Sequence, residues 1–303
     1  MKTRLLSIVF VSALLFVGQS PNSQQTDDRK LTAYFLDVGM GDAIFLDIPP
    51  HDCMLIDGGS WDKSGVENLK EFLKEFFADP DHADYKKTID VVVASHQHHD
   101  HIAGLIEVLK AYKVETYFDN GIGWKKAKSS STDEVDEIDK LIAQKRIKHI
   151  GITEELIEQE GKDGVYTNKD LDPFDGIDVF ALAGSPTPNE KEPNDNSIIL
   201  RVECGKISFL LAGDAQEKEE KRVIKKLSDN QRLSLLDVDV YKASHHGSNT
   251  SNSGEMLRAT TPMISVISVG RADESSKTRQ FRLPKQSAVD TILQYTSRIL
   301  PDT

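Results

Sequence analysis

A histidine-rich hexapeptide, residues 96–101, is the part of the chain best suited to do chemistry. It reads His-Gln-His-His-Asp-His and places four imidazoles and one carboxylate within six residues. Donors spaced H-x-H-x-D-H can surround one or two divalent ions, whereas a solvated histidine-rich loop does not require that spacing. The pattern predicts metal-assisted hydrolysis, and we do not expect His99, which lies between the other donors, to bind an ion.

The elements on either side of the hexapeptide predict how it is positioned. An uninterrupted, β-branched run over residues 89–94 comes directly before it and predicts a buried strand. Residues 102–109 follow it with apolar side chains at helical spacing. The hexapeptide is therefore predicted to lie at a strand end, where side chains of a turning loop converge.

Three further apolar runs also end in candidate ligands. Asp57 follows the run 53–56, Asp214 follows the run 206–212, and the pair 245–246, both histidines, follows the run 239–243. Each has a simpler explanation when taken alone, because aspartate next to glycine is a frequent turn former and a histidine is often only a hydrogen-bonding neighbour. Strand ends at one sheet edge lie side by side, so we expect all of them near the hexapeptide.

The remaining periodicity predicts an α/β protein. Further strands are predicted over residues 31–38, 43–48, 178–182, 197–202 and 263–269, and helices over 65–77, 134–143, 216–228 and 285–296. The same order of elements occurs twice along the chain: a set of strands, a helix and a strand that ends in a histidine cluster.

The N-terminus has the features of a secretory signal peptide. Lys2 and Arg4 precede a mostly apolar run over residues 5–17, and small residues follow at 18–20. The run is short for a membrane span. We therefore expect a signal peptide over 1–20, a linker over 21–30 and one hydrolase domain over 31–303, in a secreted or periplasmic protein without stable membrane insertion. An uncleaved N-terminal membrane anchor is the alternative.

The charge balance and the cysteines limit the partners and the redox chemistry. The net charge is −12 over 303 residues, and loss of residues 1–20 with Lys2 and Arg4 would make it −14. An acidic surface repels polyanions at long range, which disfavours a large nucleic-acid footprint.

The two cysteines, Cys53 and Cys204, are equally compatible with a disulfide in an exported protein and with two buried thiols.

Six stretches of the chain resemble the metallo-β-lactamase superfamily and, within it, the hydrolase domain of ComEC-type competence (DNA-uptake) proteins. They are residues 35–43, 55–59, 95–105, 196–197, 210–214 and 242–248. The resemblance extends from residue 31 to residue 296. It implies an αββα sandwich, in which two mixed β-sheets are flanked by helices and the metal site lies at one edge.

The resemblance also implies a role for each candidate ligand. It implies a first metal bound by His96 and His98, a second bound by Asp100, His101 and His245, and a bridge between them at Asp214. Asp57 would orient the cluster by hydrogen bonding to a ligand. Asn196 stands where many members of the superfamily supply a further histidine to the first metal. We therefore expect one or two divalent ions, Zn²⁺ or Mn²⁺.

The function implied by the resemblance is that of a phosphodiesterase or nuclease-like hydrolase, and the N-terminal signal predicts that it is exported. Its substrate would be a small-molecule, nucleotide or nucleic-acid phosphodiester, attacked by a metal-bound hydroxide that Asp100 would hold or whose proton it would pass on. Substrate contacts are expected from Asn196, Lys242, His246 and Ser248. The residues alone imply only hydrolysis, so a lactonase- or lactamase-type acyl hydrolase and a non-catalytic metal-binding module remain alternatives.

Overall fold

Two mixed β-sheets, packed face to face, form the centre of the fold in a computed structural model that describes residues 10–12, 30–121, 132–186, 192–270 and 281–296. Helices cover the outer face of each sheet, so the described residues form four layers in the order αββα. The predicted fold class is therefore confirmed.

The first sheet has seven strands in the order β1-β2-β3-β4-β5-β6-β7. They are β1 (Phe10–Ser12), β2 (Thr32–Phe35), β3 (Ile44–Ile48), β4 (Asp52–Ile56), β5 (Thr88–Val93), β6 (Lys113–Asp119) and β7 (Lys148–Gly151). Strands β1 to β4 pair antiparallel, and β4 to β7 pair parallel. Strand β1 lies within the predicted signal peptide; the rest of that peptide and nearly all of the predicted linker fall outside the described residues, so cleavage stays a prediction.

The second sheet has five strands in the order β12-β11-β10-β9-β8. They are β8 (Asp178–Ala183), β9 (Ile199–Cys204), β10 (Ile207–Leu211), β11 (Val240–Lys242) and β12 (Ile264–Val266). Strands β8 to β10 pair antiparallel, whereas β10 to β12 pair parallel. The parallel strands of both sheets end in the loops that carry the candidate ligands.

Eight α-helices and four short 3₁₀ helices complete the described residues. The α-helices are α1 (Lys63–Phe76), α2 (His99–Ile102), α3 (Leu105–Ala111), α4 (Thr132–Lys145), α5 (Glu154–Glu160), α6 (Glu217–Asp229), α7 (Gly254–Thr260) and α8 (Gln286–Tyr295). The 3₁₀ helices are Pro80–Tyr85, Pro193–Asn196, Leu233–Leu236 and Ser244–Gly247. None of the helices in these ranges combines the length and the apolarity that crossing a bilayer requires.

Three apolar clusters hold the layers together. The central cluster lies between the sheets and includes Leu46, Val91, Phe118, Leu200 and Phe209. One outer cluster packs the first sheet against α1, α3 and α4, and the other packs the second sheet against α6, α7 and α8. Strands covered on both faces are apolar on both faces, which explains the uninterrupted runs in the sequence.

The predicted strands and helices are present, with ends shifted by a few residues. The helix predicted over 102–109 is divided at Gly104 into α2 and α3, and the patterns did not predict β1, β6, β7, α5 or α7. Cys53 and Cys204 are both buried free thiols on separate sheets, so the disulfide alternative is excluded.

A buried ion pair joins the two halves of the sandwich beside the strand ends. The Lys242 Nζ atom, on β11 of the second sheet, contacts Asp42 Oδ2 in the loop between β2 and β3 of the first sheet. It also donates to the carbonyl oxygen of Gly213 at 3.2 Å. Burial alone would lower the pKa of Lys242, but the carboxylates of Asp42 and Asp214 raise it above its usual value. The amine therefore stays charged although it is fully buried.

Replacing Lys242→Met should lower the free energy of unfolding by about 3–5 kcal/mol, because it leaves Asp42 as an uncompensated buried charge. Urea unfolding of chelator-treated protein measures the change. The double variant Asp42→Asn/Lys242→Met removes both charges and should be more stable than Lys242→Met alone. Unfolding of Lys242→Met at the wild-type urea midpoint would contradict this account of the pair.

A second buried carboxyl group predicts a pH-dependent stability. Glu219, on α6, is 1% exposed and contacts the Arg222 guanidinium one turn further along. Burial raises the pKa of Glu219 from 4.5 to about 7 in spite of that contact. Because the folded-state pKa lies above the unfolded one, the stabilising contribution is fully present below pH 4.5 and is lost as the pH rises through 7.

The variant Glu219→Gln should therefore gain stability relative to the wild type, by roughly 1–3 kcal/mol between pH 5 and pH 8. Urea unfolding at a series of pH values measures the difference. Glu217→Gln is the control, since that side chain is exposed on the same helix. A constant difference between Glu219→Gln and the wild type over this range would refute the prediction.

Candidate metal centre

The histidine-rich loop is fixed by hydrogen bonds from both sheets. The backbone nitrogen and Oγ of Ser95 each donate to the Asp57 carboxylate, at 2.7 Å. The backbone nitrogen of Ile198, which precedes β9 of the second sheet, donates to the Ser95 carbonyl oxygen at 2.9 Å. The loop after β5 is thus tied to the end of β4 and to the second sheet.

A close backbone contact brings α2 against the loop after β4. The backbone nitrogen of Gly58 donates to the His101 carbonyl oxygen at 2.9 Å, and that of Asp42 donates to the Asp100 carbonyl oxygen at 3.1 Å. A Cβ atom on Gly59 would lie only 2.1 Å from the His101 backbone nitrogen. Glycine is therefore required at residue 59 for α2 to hold Asp100 and His101 in this position.

The Asp214 carboxylate lies between two sets of donors, and one of its oxygens faces each set. Asp214 Oδ1 is 3.2 Å from His101 Nε2 and 3.5 Å from His246 Nε2. Asp214 Oδ2 is 3.9 Å from His96 Nε2 and also 3.9 Å from His245 Nε2. This is the arrangement of a carboxylate that can bridge two ions.

Two groups of possible ligands share that carboxylate, and the ligand atoms within each lie within 4.8 Å of one another. The first group is His96, His98 and Asp214, and the second group is Asp100, His101, Asp214 and His246. In the first group His96 Nε2 is 2.9 Å from His98 Nδ1, and in the second His246 Nε2 is 3.4 Å from Asp100 Oδ2. Imidazole and carboxylate sets of this kind suit Zn²⁺ or Mn²⁺.

Three buried atoms of the second group lack a well-oriented hydrogen bond. They are His101 Nε2, Asp214 Oδ1 and His246 Nε2. A buried polar atom left in this way costs about 1–3 kcal/mol. A divalent ion would supply the missing partner to all three atoms, so the residues fit the metal that the donor set implies.

Protonation of the imidazoles offsets the carboxylate charge. Burial would raise the pKa of Asp214, but His246 and His101 hold it well below its usual value. Burial would lower the pKa of His101, yet the Asp214 and Asp57 carboxylates raise it well above the usual value. The pKa of His246 is also raised, against the effect of burial, by Asp214 and Asp42. A metal ligand must be a neutral imidazole, so ion binding displaces these protons.

Asp57 occupies the position expected of an orienting residue. Its Oδ2 accepts a hydrogen bond from His101 Nδ1 at 2.8 Å, which leaves His101 Nε2 for the second group. Asp57 has a left-handed backbone, with φ of 56°, a conformation that aspartate tolerates better than most residues. The structure thus brings together His96, His98, Asp100, His101 and Asp214, with Asp57 behind them.

The two adjacent histidines lie on opposite sides of the Asp214 carboxylate, and His246 rather than His245 is near Asp100 and His101. His246, expected to contact substrate, belongs to the second group, whereas His245, expected there, lies on the Oδ2 side of Asp214 with His96. Both residues have left-handed backbones, with φ of 50° and 52°. The two rings therefore diverge, with centroids 6.4 Å apart, and reach opposite oxygens of Asp214.

Two residues expected to contact substrate, Lys242 and Asn196, are fully buried and bonded within the protein, and their role with substrate stays a prediction. Lys242 is held by Asp42 and the Gly213 carbonyl group. Asn196 Oδ1 accepts from Ser185 Oγ at 3.1 Å, and its Nδ2 donates to the Glu192 carbonyl oxygen at 2.7 Å. The remaining expected contact, Ser248, has its Oγ 3.0 Å from Thr250 Oγ1, and its role with substrate stays a prediction.

Two residues near the site were not among those expected. Asp42 holds Lys242, and Asn194 Nδ2 lies 3.4 Å from His245 Nε2. Asp42 belongs to the 35–43 stretch that carries the family resemblance, so that stretch contained a signal for it. Asn194 lies in a polar loop without such a signal. His99, as expected, lies apart from both groups, with its Nδ1 2.9 Å from Glu134 Oε1.

Sequence similarity to two competence proteins confirms the predicted resemblance. ComE operon protein 3 of Bacillus subtilis is 24% identical over 297 residues, which are 96% of this chain and 33% of that protein. Competence protein ComA of Neisseria gonorrhoeae is 37% identical over 100 residues, 33% of this chain and 14% of that protein. The chain thus spans a third or less of the length of these relatives.

The chain is also similar to solved structures and to a family model. Igni18, a metallo hydrolase of Ignicoccus hospitalis, is 17% identical, with a TM-score of 0.44, over 86% of this chain and 93% of that one. The metallo-beta-lactamase fold protein YhfI of Bacillus subtilis is 11% identical, also with a TM-score of 0.44, over 85% of this chain and 86% of that one. The family model described as metallo-beta-lactamase superfamily matches residues 36–271. With that match over most of its length, the chain belongs to the metallo-beta-lactamase superfamily.

Proposed function

We propose that this protein is an exported metallo-hydrolase that cleaves phosphodiester bonds with the help of one or two divalent ions. The observation that carries the proposal is the Asp214 carboxylate, whose two oxygens face two separate groups of donors. Two-ion sites of this type act on phosphodiesters in phosphatases and nucleases by stabilising both the attacking and the leaving oxygen. The names of the relatives, which are competence and recombination proteins, support a nucleotide or nucleic-acid substrate.

Each residue of the site then has a definite task. The two donor groups would hold the ions, and bound ions would supply polarisation of a phosphoryl oxygen and a pKa of water lowered to about 7. The Asp100 carboxylate, whose Oδ2 lies 3.4 Å from His246 Nε2, would accept the proton of the attacking water. Asp57 fixes the tautomer and direction of His101 through the bond to Nδ1.

The acidic charge balance favours a small phosphodiester over a long polyanion. A net charge of −12 repels nucleic acid at long range. Extended contact with a duplex would therefore need a local cluster of basic residues on this acidic surface. The same charge is compatible with a lactone or another neutral carbonyl substrate. Acyl hydrolysis is therefore the alternative that the experiment must separate.

A panel of three substrates tests the proposal. Protein stripped with a chelator and reloaded with Mn²⁺ or Zn²⁺ should hydrolyse a chromogenic phosphodiester and leave a lactone and a β-lactam nearly unchanged. The variant His98→Ala should lose at least about 100-fold of this activity, because it removes a donor of the first group. His99→Ala is the matched control, since its neighbouring imidazole lies outside both groups.

Two outcomes would overturn the phosphodiesterase proposal. Faster turnover of the lactone or the β-lactam would make the protein an acyl hydrolase. Stoichiometric metal binding without hydrolysis of any substrate would make it a binding module. Full activity in His98→Ala would remove the assigned site.

Export is supported by the basic residues and the apolar run at the N-terminus. Protein expressed in its own host or in a bacterial host should be found outside the cytoplasm, with a mass that lacks residues 1–20. Placing a charge in the apolar run, by Leu14→Arg, should keep the protein unprocessed in the cytoplasm. A wild-type protein that keeps its full mass but stays with the membrane would favour the anchor instead.

A further inference from the structure

A pair of buried amide side chains lies next to the first group of donors. Gln97, the residue between His96 and His98, is 4% exposed, and Asn120, directly after β6, is fully buried. Gln97 Nε2 donates a hydrogen bond to Asn120 Oδ1, and Asn120 Nδ2 donates one back to Gln97 Oε1 at 3.0 Å. The two amides therefore form a closed pair of hydrogen bonds.

The Asn120 amide also reaches the loop that leads into β9 of the second sheet. Its Nδ2 donates to the Asn196 carbonyl oxygen at 3.1 Å. Because a carbonyl oxygen can only accept, this contact fixes which end of the Asn120 amide is nitrogen and leaves Oδ1 to accept from Gln97. The next residue, Ser197, accepts at its Oγ a hydrogen bond from the Asp214 backbone nitrogen, at 3.2 Å. Asn120 thus connects the histidine-rich loop with the segment that contacts Asp214.

The first group requires such a connection because its donors come from both sheets. His96 and His98 follow β5 of the first sheet, whereas Asp214 follows β10 of the second. His96 Nε2 is 2.9 Å from His98 Nδ1 but 3.9 Å from Asp214 Oδ2. Metal–ligand distances vary by only about 0.2 Å. A small displacement of the histidine-rich loop relative to Asp214 would therefore decide whether this group can hold an ion.

We propose that Gln97 and Asn120 are positioning residues of the first group, which hold His96 and His98 at the distance from Asp214 that an ion requires. The two amides bond to each other and to the Asn196 carbonyl group, so they act on the ion through the histidines on either side of Gln97. They are uncharged and direct the loop without changing the charge balance of the site. This inference rests on the proposed two-ion hydrolase and adds the residues that assemble one of its ion sites.

Metal binding to the chelator-stripped full chain tests the inference without relying on activity. Calorimetric titration of the wild type with Mn²⁺ should show two sites. Asn120→Leu should weaken one site by about tenfold or more and leave the other unchanged, because it removes the link between the two loops while it keeps a side chain of similar shape. The weakened site should be the one that His98→Ala abolishes.

A double variant separates this role from a contribution to stability alone. Asn120→Leu deprives the buried Gln97 amide of the hydrogen bonds that Asn120 makes and should lower the urea midpoint of the stripped protein. Gln97→Met/Asn120→Leu replaces both amides by apolar groups and should restore much of that midpoint. It should still bind the ion of the first group about tenfold more weakly than the wild type, since an apolar pair lacks the direction of hydrogen bonds. Wild-type affinity at both sites in a stable double variant would overturn the inference.

Asn168→Leu is the matched control, because that asparagine is hydrogen-bonded in the segment between α5 and β8, away from the histidine-rich loop. It should bind both ions as the wild type does. Equal weakening of both sites in Asn120→Leu, or of neither, would overturn the inference and leave the proposed hydrolase intact. A wild type with a single site that His98→Ala leaves unchanged would do the same. A wild type that binds no divalent ion would remove the inference together with the proposed function.

Discussion

The burial of several carboxylates in one pocket is the constraint on which the rest of this structure depends. Asp42, Asp57, Asp100 and Asp214 are each at most 4% exposed. Carboxylates removed from water lose their hydration and repel one another, so each needs a cationic partner. Lys242 permanently compensates Asp42, and charged imidazoles compensate the others until ions take their place. The loops and strand ends are arranged to supply those partners.

Much of the fold can be predicted from the sequence because the sandwich buries both faces of its central strands. Strands β3, β4, β5 and β10 are mostly apolar, and the periodic helices α1 and α6 cover them. The sequence was less informative at the periphery. Strand β7 reads Lys-His-Ile-Gly and is only partly buried, and helix α7 has seven residues, so their formation depends on the neighbouring elements more than on their own pattern.

The site was predictable to the level of strand ends, and less so for individual side chains. Asp57, Asp214 and the 96–101 loop converge because parallel strands bring their carboxyl ends to one edge. Which of His245 and His246 lies near Asp100 and His101 depends on two consecutive residues with left-handed backbones. No residue type in that segment predicts this backbone conformation. The sequence could not show that Lys242 is paired, because its partner, Asp42, is 200 positions away in the chain.

The donors of the second group come from both sheets, and this links metal supply to the integrity of the sandwich. Asp100 and His101 follow β5 of the first sheet, and Asp214 and His246 follow β10 and β11 of the second. An ion held by both sheets would add its binding free energy to the free energy of folding, by about 2.7 kcal/mol at a hundredfold excess over Kd. Scarcity of the ion would then loosen one half from the other and expose the chain to proteases, so that the lifetime of the protein follows the trace-metal content of its surroundings.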